Sequence, residues 1–177
     1  MRILLVRDRF TSASPPVLTR FITQLVRQAA ADGHELRELV PNRTGDDKGF
    51  DENRTAVRVL LDQEVAVFDP QVIHVQGIGV LGHLALETGV PYVISAFNQD
   101  LTIGQIGSSV RSFSQQAVEN AGGVLVDSEE TRRRVLAGFG ELEAVVVVEE
   151  MADPDAPGSL ERLWQLYNKI VAARRGQ

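Results

Sequence analysis

The sequence predicts an α/β protein, a three-layer sandwich built on a Rossmann-like, doubly wound parallel sheet of about six strands. Three observations predict this fold. Short apolar runs, typical of strands that are covered on both faces, recur along the chain. Segments whose apolar residues have helical spacing stand between them. Glycine or Asp-Pro pairs mark the junctions, as in residues 69–98, which read as strand, glycine turn, helix, glycine and strand.

The first part of the chain predicts two strands and two helices. Arg2–Val6 is the first strand, and Pro15 and Pro16 open the helix that follows. Its apolar residues recur at helical spacing: Val17, Leu18, Phe21, Ile22, Leu25, Val26 and Ala29. After Gly33 we expect a second strand at Glu35–Val40. The polar residues 41–53 predict a mobile surface loop, and a second helix is expected at about Thr55–Phe68.

The second part repeats the strand and helix alternation. Strands are expected at Val72–Gln76, Tyr92–Phe97, Val124–Val126 and Ala144–Val148. A loop from Asn98 to Ser109 precedes a helix at about Val110–Asn120. Ser128 can cap the helix between the last two strands. Glu129 and Glu130 lie favourably in the first turn of that helix, near the positive end of its dipole.

The chain divides into one domain and one terminal helix. Residues 1–148 form the expected Rossmann-like domain, and residues 149–158 form an acidic, proline-containing linker. Residues 159–177 form a helix that Ser159 can cap. It carries one apolar stripe: Leu160, Leu163, Trp164, Tyr167, Ile170 and Val171. Such a stripe predicts that this helix docks on the domain.

Composition narrows the possible partners and the compartment. The 177 residues can bury a single core without disulfides, and the net charge of −6 argues against nucleic-acid binding. The chain has no cysteine, which fits a reducing cytoplasm and removes thiolate metal sites. No apolar run approaches the roughly 20 residues of a membrane span. We therefore expect a cytoplasmic protein that binds no nucleic acid and has no membrane span.

Two segments carry a resemblance to a known family. These are DPQVIHVQGIGVLGHLALETGVPYVISAFN at residues 69–98 and AGGVLVDSEETRRRVLAGFG at residues 121–140. Together they resemble the amino-terminal, acceptor-side domain of GT-B-type, family 4 glycosyltransferases, in which "DVIHxHG…GxPxVxTxHG" and "ADxVIxxSExxxxxL" recur. The terminal helix resembles the one that returns from the donor-binding domain of such enzymes, whereas that domain itself is missing here.

Candidate ligand-binding residues gather at one predicted edge of the sheet. The expected strand order 2-1-3-4-5-6 has a switch point between strands one and three, where open α/β sheets bind ligands. The loops at that edge contain Arg7, Arg9, Gln76, Asn98 and Gln99. The two arginines could hold a phosphate or carboxylate, or could be solvated loop charges.

Glycines and one aromatic residue complete the candidate set. Gly77 and Gly79 begin a GxGxxG pattern that fits a structural turn better than a dinucleotide site, because it follows the third strand. The resemblance places Phe97 where the family usually has the histidine that faces the acceptor. Phenylalanine cannot carry a proton, so we predict no catalytic residue. The sequence shows no metal-ligand cluster and no P-loop lysine motif, so we also predict no metal ligand and no cofactor. His34, His74 and His83 are expected to be structural, since none has a visible partner at useful spacing.

Three functional hypotheses remain open at this stage. The first is a glycosyltransferase-like acceptor-side half domain, inactive alone and paired with a separate polypeptide that binds the nucleotide sugar. The second is a non-catalytic, natural or engineered binding or scaffold module that forms a homodimer. The third is a complete small enzyme that uses a nucleotide at the glycine turn, and it ranks last because no acid/base pair is evident.

Overall fold

The computed structural model describes residues 1–7, 16–41, 50–96, 108–142, 145–147 and 160–175. Strands and helices alternate through these ranges. The strands are β1 Arg2–Val6, β2 Glu35–Leu39, β3 Val72–Gln76, β4 Tyr92–Ala96, β5 Val124–Val126 and β6 Val145–Val147. The helices are α1 Pro16–Ala31, α2 Phe50–Phe68, α3 Val80–Glu87, α4 Ser108–Glu119, α5 Glu129–Phe139 and α6 Glu161–Arg175.

The six strands form one parallel sheet in the order β2-β1-β3-β4-β5-β6. The predicted fold class and strand order are confirmed. The chain runs outward from β1 to β2 and then returns past β1 to β3, so the direction of winding reverses between β1 and β3. At this switch point Val6 of β1 lies in register with Val75 of β3. The carboxyl ends of the central strands therefore meet at one edge.

Helices cover the two faces of the sheet unequally. One face, which we call the four-helix face, packs against α2, α3, α4 and α5 in a cluster that includes Leu61, Ile73, Leu84 and Val135. The other, the two-helix face, packs against α1 and α6 in a cluster that includes Phe21 and Leu163. Because side chains alternate along a strand, β1, β3, β4 and β5 contribute to both clusters.

Helix α6 fills much of the two-helix face. Leu160, Leu163, Leu166 and Tyr167 are buried there beside Ile3 of the first strand. Trp164, Ile170 and Val171 are partly buried against the same cluster. Leu166 was not included in the predicted apolar stripe. The domain limits at 148 and 159 remain predictions, since residues 148–159 lie outside the described ranges.

Several element boundaries differ from the expected ones. Helix α2 begins at Phe50, so residues 50–53 are helical and do not belong to the predicted loop. The polar composition of residues 41–53 made this segment look like a loop. Helix α4 begins at Ser108, two residues before the predicted start. Val26 of α1 is 37% exposed, at the margin of the stripe to which it was assigned.

Within the described ranges, no helix combines the length and the apolar character that crossing a membrane requires.

Candidate functional site

Gln76 occupies the most informative position at the carboxyl edge of the sheet. It is the last residue of β3, lies in register with Ser95 of β4, and is only 4% exposed. Neither its amide nitrogen nor its amide oxygen has a hydrogen-bond partner in the part of the chain that the structure describes. A buried polar group without a partner costs about 1–3 kcal/mol of stability, so such a group requires an explanation.

A chain of hydrogen bonds lies beside Gln76 on the two-helix face. The ring of His74 contacts the Tyr167 hydroxyl through Nδ1 at 2.5 Å and the Ser95 hydroxyl through Nε2 at 2.6 Å. All three side chains are fully buried. Burial lowers the pKa of His74 from 6.5 to about 3 and raises the pKa of Tyr167. His74 is therefore neutral at physiological pH, and helix α6 is joined through it to strand β4.

Arg7 does not join Gln76. Its Nε donates to Glu38 Oε2 at 2.9 Å, and its backbone N–H donates to the Leu39 carbonyl at 3.1 Å. Both contacts lead to β2, away from β3 and β4. The charge of Arg7 is thus compensated within the sheet, in an ion pair whose two side chains are each about one-third exposed.

Gly77 and Gly79 form the turn between β3 and α3. Their φ angles are 95° and 146°, which L-residues with side chains rarely adopt. The Gly77 N–H donates to the Ser95 carbonyl at 2.9 Å, so this turn is tied to β4 beside the Gln76 side chain. A Cβ atom at Gly82 would lie 3.1 Å from Ala117 and 3.2 Å from Ile94. The last glycine of the pattern thus permits close packing of α3 against its neighbours.

A second polar cluster joins α2, α3 and α4 around the last residue of α3, Glu87. Glu87 accepts hydrogen bonds from Arg54 at 2.7 Å and from Arg58 at 2.6 Å, and His83 Nε2 lies 3.4 Å from its carboxylate. The His83 ring packs 4.4 Å from the Phe113 ring, and burial is the main reason that its pKa is lowered. Arg58 also donates to the Asp62 carboxylate at 2.7 Å. The two carboxylates and the two guanidinium groups compensate one another, so this cluster offers little free charge to a ligand.

The remaining candidates lie outside the described residues. These are Arg9, Phe97, Asn98 and Gln99. Of the predicted set, the structure thus brings together Gln76, Gly77 and Gly79 and separates Arg7 from them. The described residues contain no group of three His, Cys, Asp or Glu side chains that could hold a metal ion.

Sequence reasoning missed two members of this neighbourhood. Ser95 and Tyr167 were not singled out, and His74 was expected to be structural without a known partner. A usable signal was present, because His74, Gln76 and Ser95 are the polar residues of two otherwise apolar strands, VIHVQ and YVISA. Polar side chains in strands that are buried on both faces need partners, and two such strands side by side predict that the partners are shared.

Comparison with known proteins identifies solved structures that have a similar fold. No protein-family model and no curated protein matches the sequence. Among solved structures, a glycosyltransferase from Rickettsia africae matches with a TM-score of 0.63 and 14% identity, over 95% of this chain and 49% of that one. A UDP-GlcNAc 2-epimerase from Neisseria meningitidis, bound to UDP-GlcNAc, matches with a TM-score of 0.60 and 12% identity, over 93% and 54%.

An archaeal enzyme gives a similar result. The UDP-GlcNAc 2-epimerase from Methanocaldococcus jannaschii, in complex with UDP-GlcNAc and UDP, has a TM-score of 0.59 and 11% identity, over 84% of this chain and 46% of that one. At such identities the likeness shows the fold alone, which is that of a GT-B-like domain. The chain spans about half the length of the solved structures that it matches.

Proposed function

We propose that this chain is the acceptor-side half of a glycosyltransferase-like protein and that a separate polypeptide binds the nucleotide sugar. The observation that carries the proposal is the unpaired, buried amide of Gln76 at the carboxyl edge of β3, beside the switch point. Ligands of open α/β sheets bind at this edge. The coverage of about half of each sugar-nucleotide enzyme supports the same assignment.

The side chains near this edge favour binding over catalysis. His74 is sealed between two hydroxyl groups in the core, where it stays neutral. The Asp127 carboxylate, which follows β5, accepts hydrogen bonds from Thr131 at 2.5 Å and from Ser128 at 3.3 Å at the start of α5. Each group is committed to local structure, and a general acid or base must instead reach the substrate.

The test is a transfer assay with UDP-GlcNAc and other nucleotide sugars. The chain alone should give no product above background. Product should form after addition of a separately expressed donor-binding polypeptide, with candidates chosen from neighbouring coding regions. Transfer by the chain alone, abolished by Arg7→Ala or Asn98→Ala, would show that the active site is complete without a partner.

A second candidate, the self-associating scaffold, is favoured by one observation on helix α2. The outer face of this helix exposes Val59 at 50%, Leu60 at 41% and Val67 at 76%. The exposed residues near them are Ala56, Asp62, Gln63 and Ala66, and the Asp62 carboxylate is paired with Arg58 at 2.7 Å. This face could therefore meet its own copy across a two-fold axis with little charge repulsion, although the chain carries a net charge of −6. The sequence has two other candidates for self-association, namely the apolar residues of the loops at the carboxyl edge and the valine-rich edge strand at 144–148. They lie wholly or partly outside the described ranges.

Sedimentation velocity decides whether α2 forms a dimer. The unmodified chain should dimerise at micromolar concentration, and Val67→Glu should make it monomeric. Gln116→Glu adds the same charge to an exposed position of α4 and should leave the dimer intact. A monomer at high concentration before any substitution would eliminate this candidate.

A further inference from the structure

We infer that Gln76 and Ser95 bind a neutral, hydroxyl-bearing group of a carbohydrate, and that Tyr167 positions Ser95 for this through His74. The inference deepens the proposed function, on which it rests, by naming the chemistry that the carboxyl edge of the sheet recognises. It also gives helix α6 a role in binding.

Gln76 and Ser95 face the same side of the sheet. They are register partners on adjacent strands, and both lie on the side that carries His74, since residues two apart on a strand share a face. The amide of Gln76 offers two N–H donors and one carbonyl acceptor. All of them are unused within the described residues, although the side chain is 96% removed from solvent. This arrangement provides donors and an acceptor at one point.

The hydrogen-bond chain fixes what Ser95 can offer. A neutral imidazole carries one hydrogen, so one ring nitrogen donates and the other accepts. The buried Tyr167 hydroxyl has no second partner among the described residues, so its hydrogen is satisfied only if it donates to His74 Nδ1. His74 must then carry its hydrogen on Nε2 and donate to Ser95 Oγ. The Ser95 hydroxyl hydrogen is left free to donate to another group.

These groups together select the class of ligand. An alcohol hydroxyl can accept from the Gln76 amide or from Ser95 and can donate to the Gln76 carbonyl. A phosphate dianion would need cationic groups close to it to balance its charge. The nearest described cation at this edge, Arg7, is paired with Glu38. The site therefore suits adjacent hydroxyls of a neutral sugar better than it suits an anion.

Helix α6 enters the site through Tyr167. Without this hydroxyl, nothing would favour the tautomer of His74 that donates to Ser95, and the Ser95 hydrogen could turn toward Nε2. Tyr167 is thus a positioning residue that acts through two hydrogen bonds and does not itself contact the ligand.

The test is nuclear magnetic resonance of the ¹⁵N-labelled full chain, titrated with methyl α-glucopyranoside or with inorganic phosphate. The sugar should shift the Gln76 side-chain amide and the Gly77 backbone amide in a saturable way, at millimolar concentration. Phosphate should not shift them. Gln76→Met, which keeps the length of the side chain, should weaken sugar binding by about tenfold or more. Gln116→Met, at an exposed position of α4, should leave binding unchanged.

The hydrogen-bond relay from Tyr167 through His74 to Ser95 can be measured separately, through the tautomer of His74. The imidazole ¹⁵N shifts of His74 should report hydrogen on Nε2 in the unmodified chain and a mixture of tautomers in Tyr167→Phe, with sugar binding weakened by about threefold. Tyr92→Phe is the matched control, because it removes another buried tyrosine hydroxyl, which donates to the Ala117 carbonyl on the other face. It should change neither readout.

The outcomes separate this inference from the proposed function. Equal sugar binding by Gln76→Met and the unmodified chain, no saturable sugar shift, or a response to phosphate instead would overturn the site. A hydrogen on Nδ1, or an unchanged tautomer in Tyr167→Phe, would overturn the relay. Sugar binding without transfer after addition of a donor-binding polypeptide would contradict the proposed function alone.

Discussion

The two faces of the sheet bury different chemistry. On the four-helix face, the central strands contribute apolar side chains such as Val75, Ile94 and Val126, and Tyr92, the polar one among them, directs its hydroxyl to the Ala117 carbonyl. On the two-helix face, Ile3, Val93 and Leu125 are joined by three polar residues of the central strands: His74, Gln76 and Ser95. Apolar packing alone can hold the first face together. The second combines packing with a set of directed polar groups.

The difference separates stability from recognition. Buried polar groups add little net stability even when paired, and they cost stability when unpaired. A sheet selected only for packing would carry apolar residues at these positions. The polar groups are concentrated on β3 and β4 of one face, toward the carboxyl edge, and the proposed carbohydrate site requires polar groups at that place. The four-helix face would then be its support.

The largest effect is expected from removal of α6, which covers the two-helix face. A chain truncated after Gly158 loses four buried side chains, namely Leu160, Leu163, Leu166 and Tyr167. Each contributes about 1.5–3 kcal/mol, and the total rivals the usual stability of about 5–15 kcal/mol. We expect an insoluble or molten protein by near-ultraviolet circular dichroism. The control Asn168→Ala/Lys169→Ala, at exposed positions of α6, should melt normally. An unchanged melting temperature after truncation would mean that α6 contributes little.

Acid should lower the free energy of unfolding through His74, which lies on the two-helix face. The unfolded chain binds a proton at His74 below pH 6.5, whereas the folded residue stays neutral down to about pH 3. The contribution of His74 is therefore complete above pH 6.5 and is lost as pH falls toward 3, by about 1.4 kcal/mol per pH unit. Urea unfolding at about pH 7 and about pH 5 measures the slope. The triple variant His74→Leu/Ser95→Ala/Tyr167→Phe should lose about 2 kcal/mol less over this interval. Equal slopes would contradict the buried neutral state.

The same triple variant tests whether the hydrogen-bond chain behaves as a unit. Tyr167→Phe alone leaves His74 Nδ1 buried without a partner and should cost about 1–3 kcal/mol by urea unfolding at neutral pH. Replacing all three polar groups removes the unpaired atoms, so its cost should be smaller than the sum of the three single changes. Additive costs would mean that the three side chains contribute independently.

The smallest effect is expected from Arg7→Ala. This change breaks a partly exposed ion pair with Glu38 and should cost no more than about 1 kcal/mol of unfolding free energy. Thermal melting, with the same change at the exposed Arg133 of α5 as reference, measures it. Loss of the sugar response in Arg7→Ala would place the guanidinium in the binding site at the end of β3. It would contradict the view that Arg7 serves only its ion pair with Glu38 of β2.

The sequence was sufficient to predict the sheet. Strand order follows from apolar runs, short connections and right-handed crossovers, all of which depend on neighbouring residues. The start of α2 was missed because Asp51 and Glu52 fit a loop as well as a helix start, and only the packing of Val57 and Leu61 decides between them.

The site was only partly predictable. Gln76, Gly77 and Gly79 could be placed because they end a recognisable strand. The partners of His74 could not, since Ser95 lies 21 positions away and Tyr167 lies 93 positions away. The partner of Arg7 could not be predicted for a related reason. Its position after β1 is evident from the sequence, but its preference for Glu38 depends on how β2 pairs.

Helix α6 also bears on how the chain folds during synthesis. Strands β1 to β5 and helices α1 to α5 leave the ribosome before residues 160–175, so the four-helix face can assemble while its opposite side still lacks a cover. Ile3 and Phe21 must wait for Leu163, and His74 must wait for Tyr167, 93 positions later. Contacts so distant in sequence form slowly, and an exposed apolar surface invites aggregation in the interval. We therefore expect the nascent chain to be most prone to aggregation before helix α6 emerges.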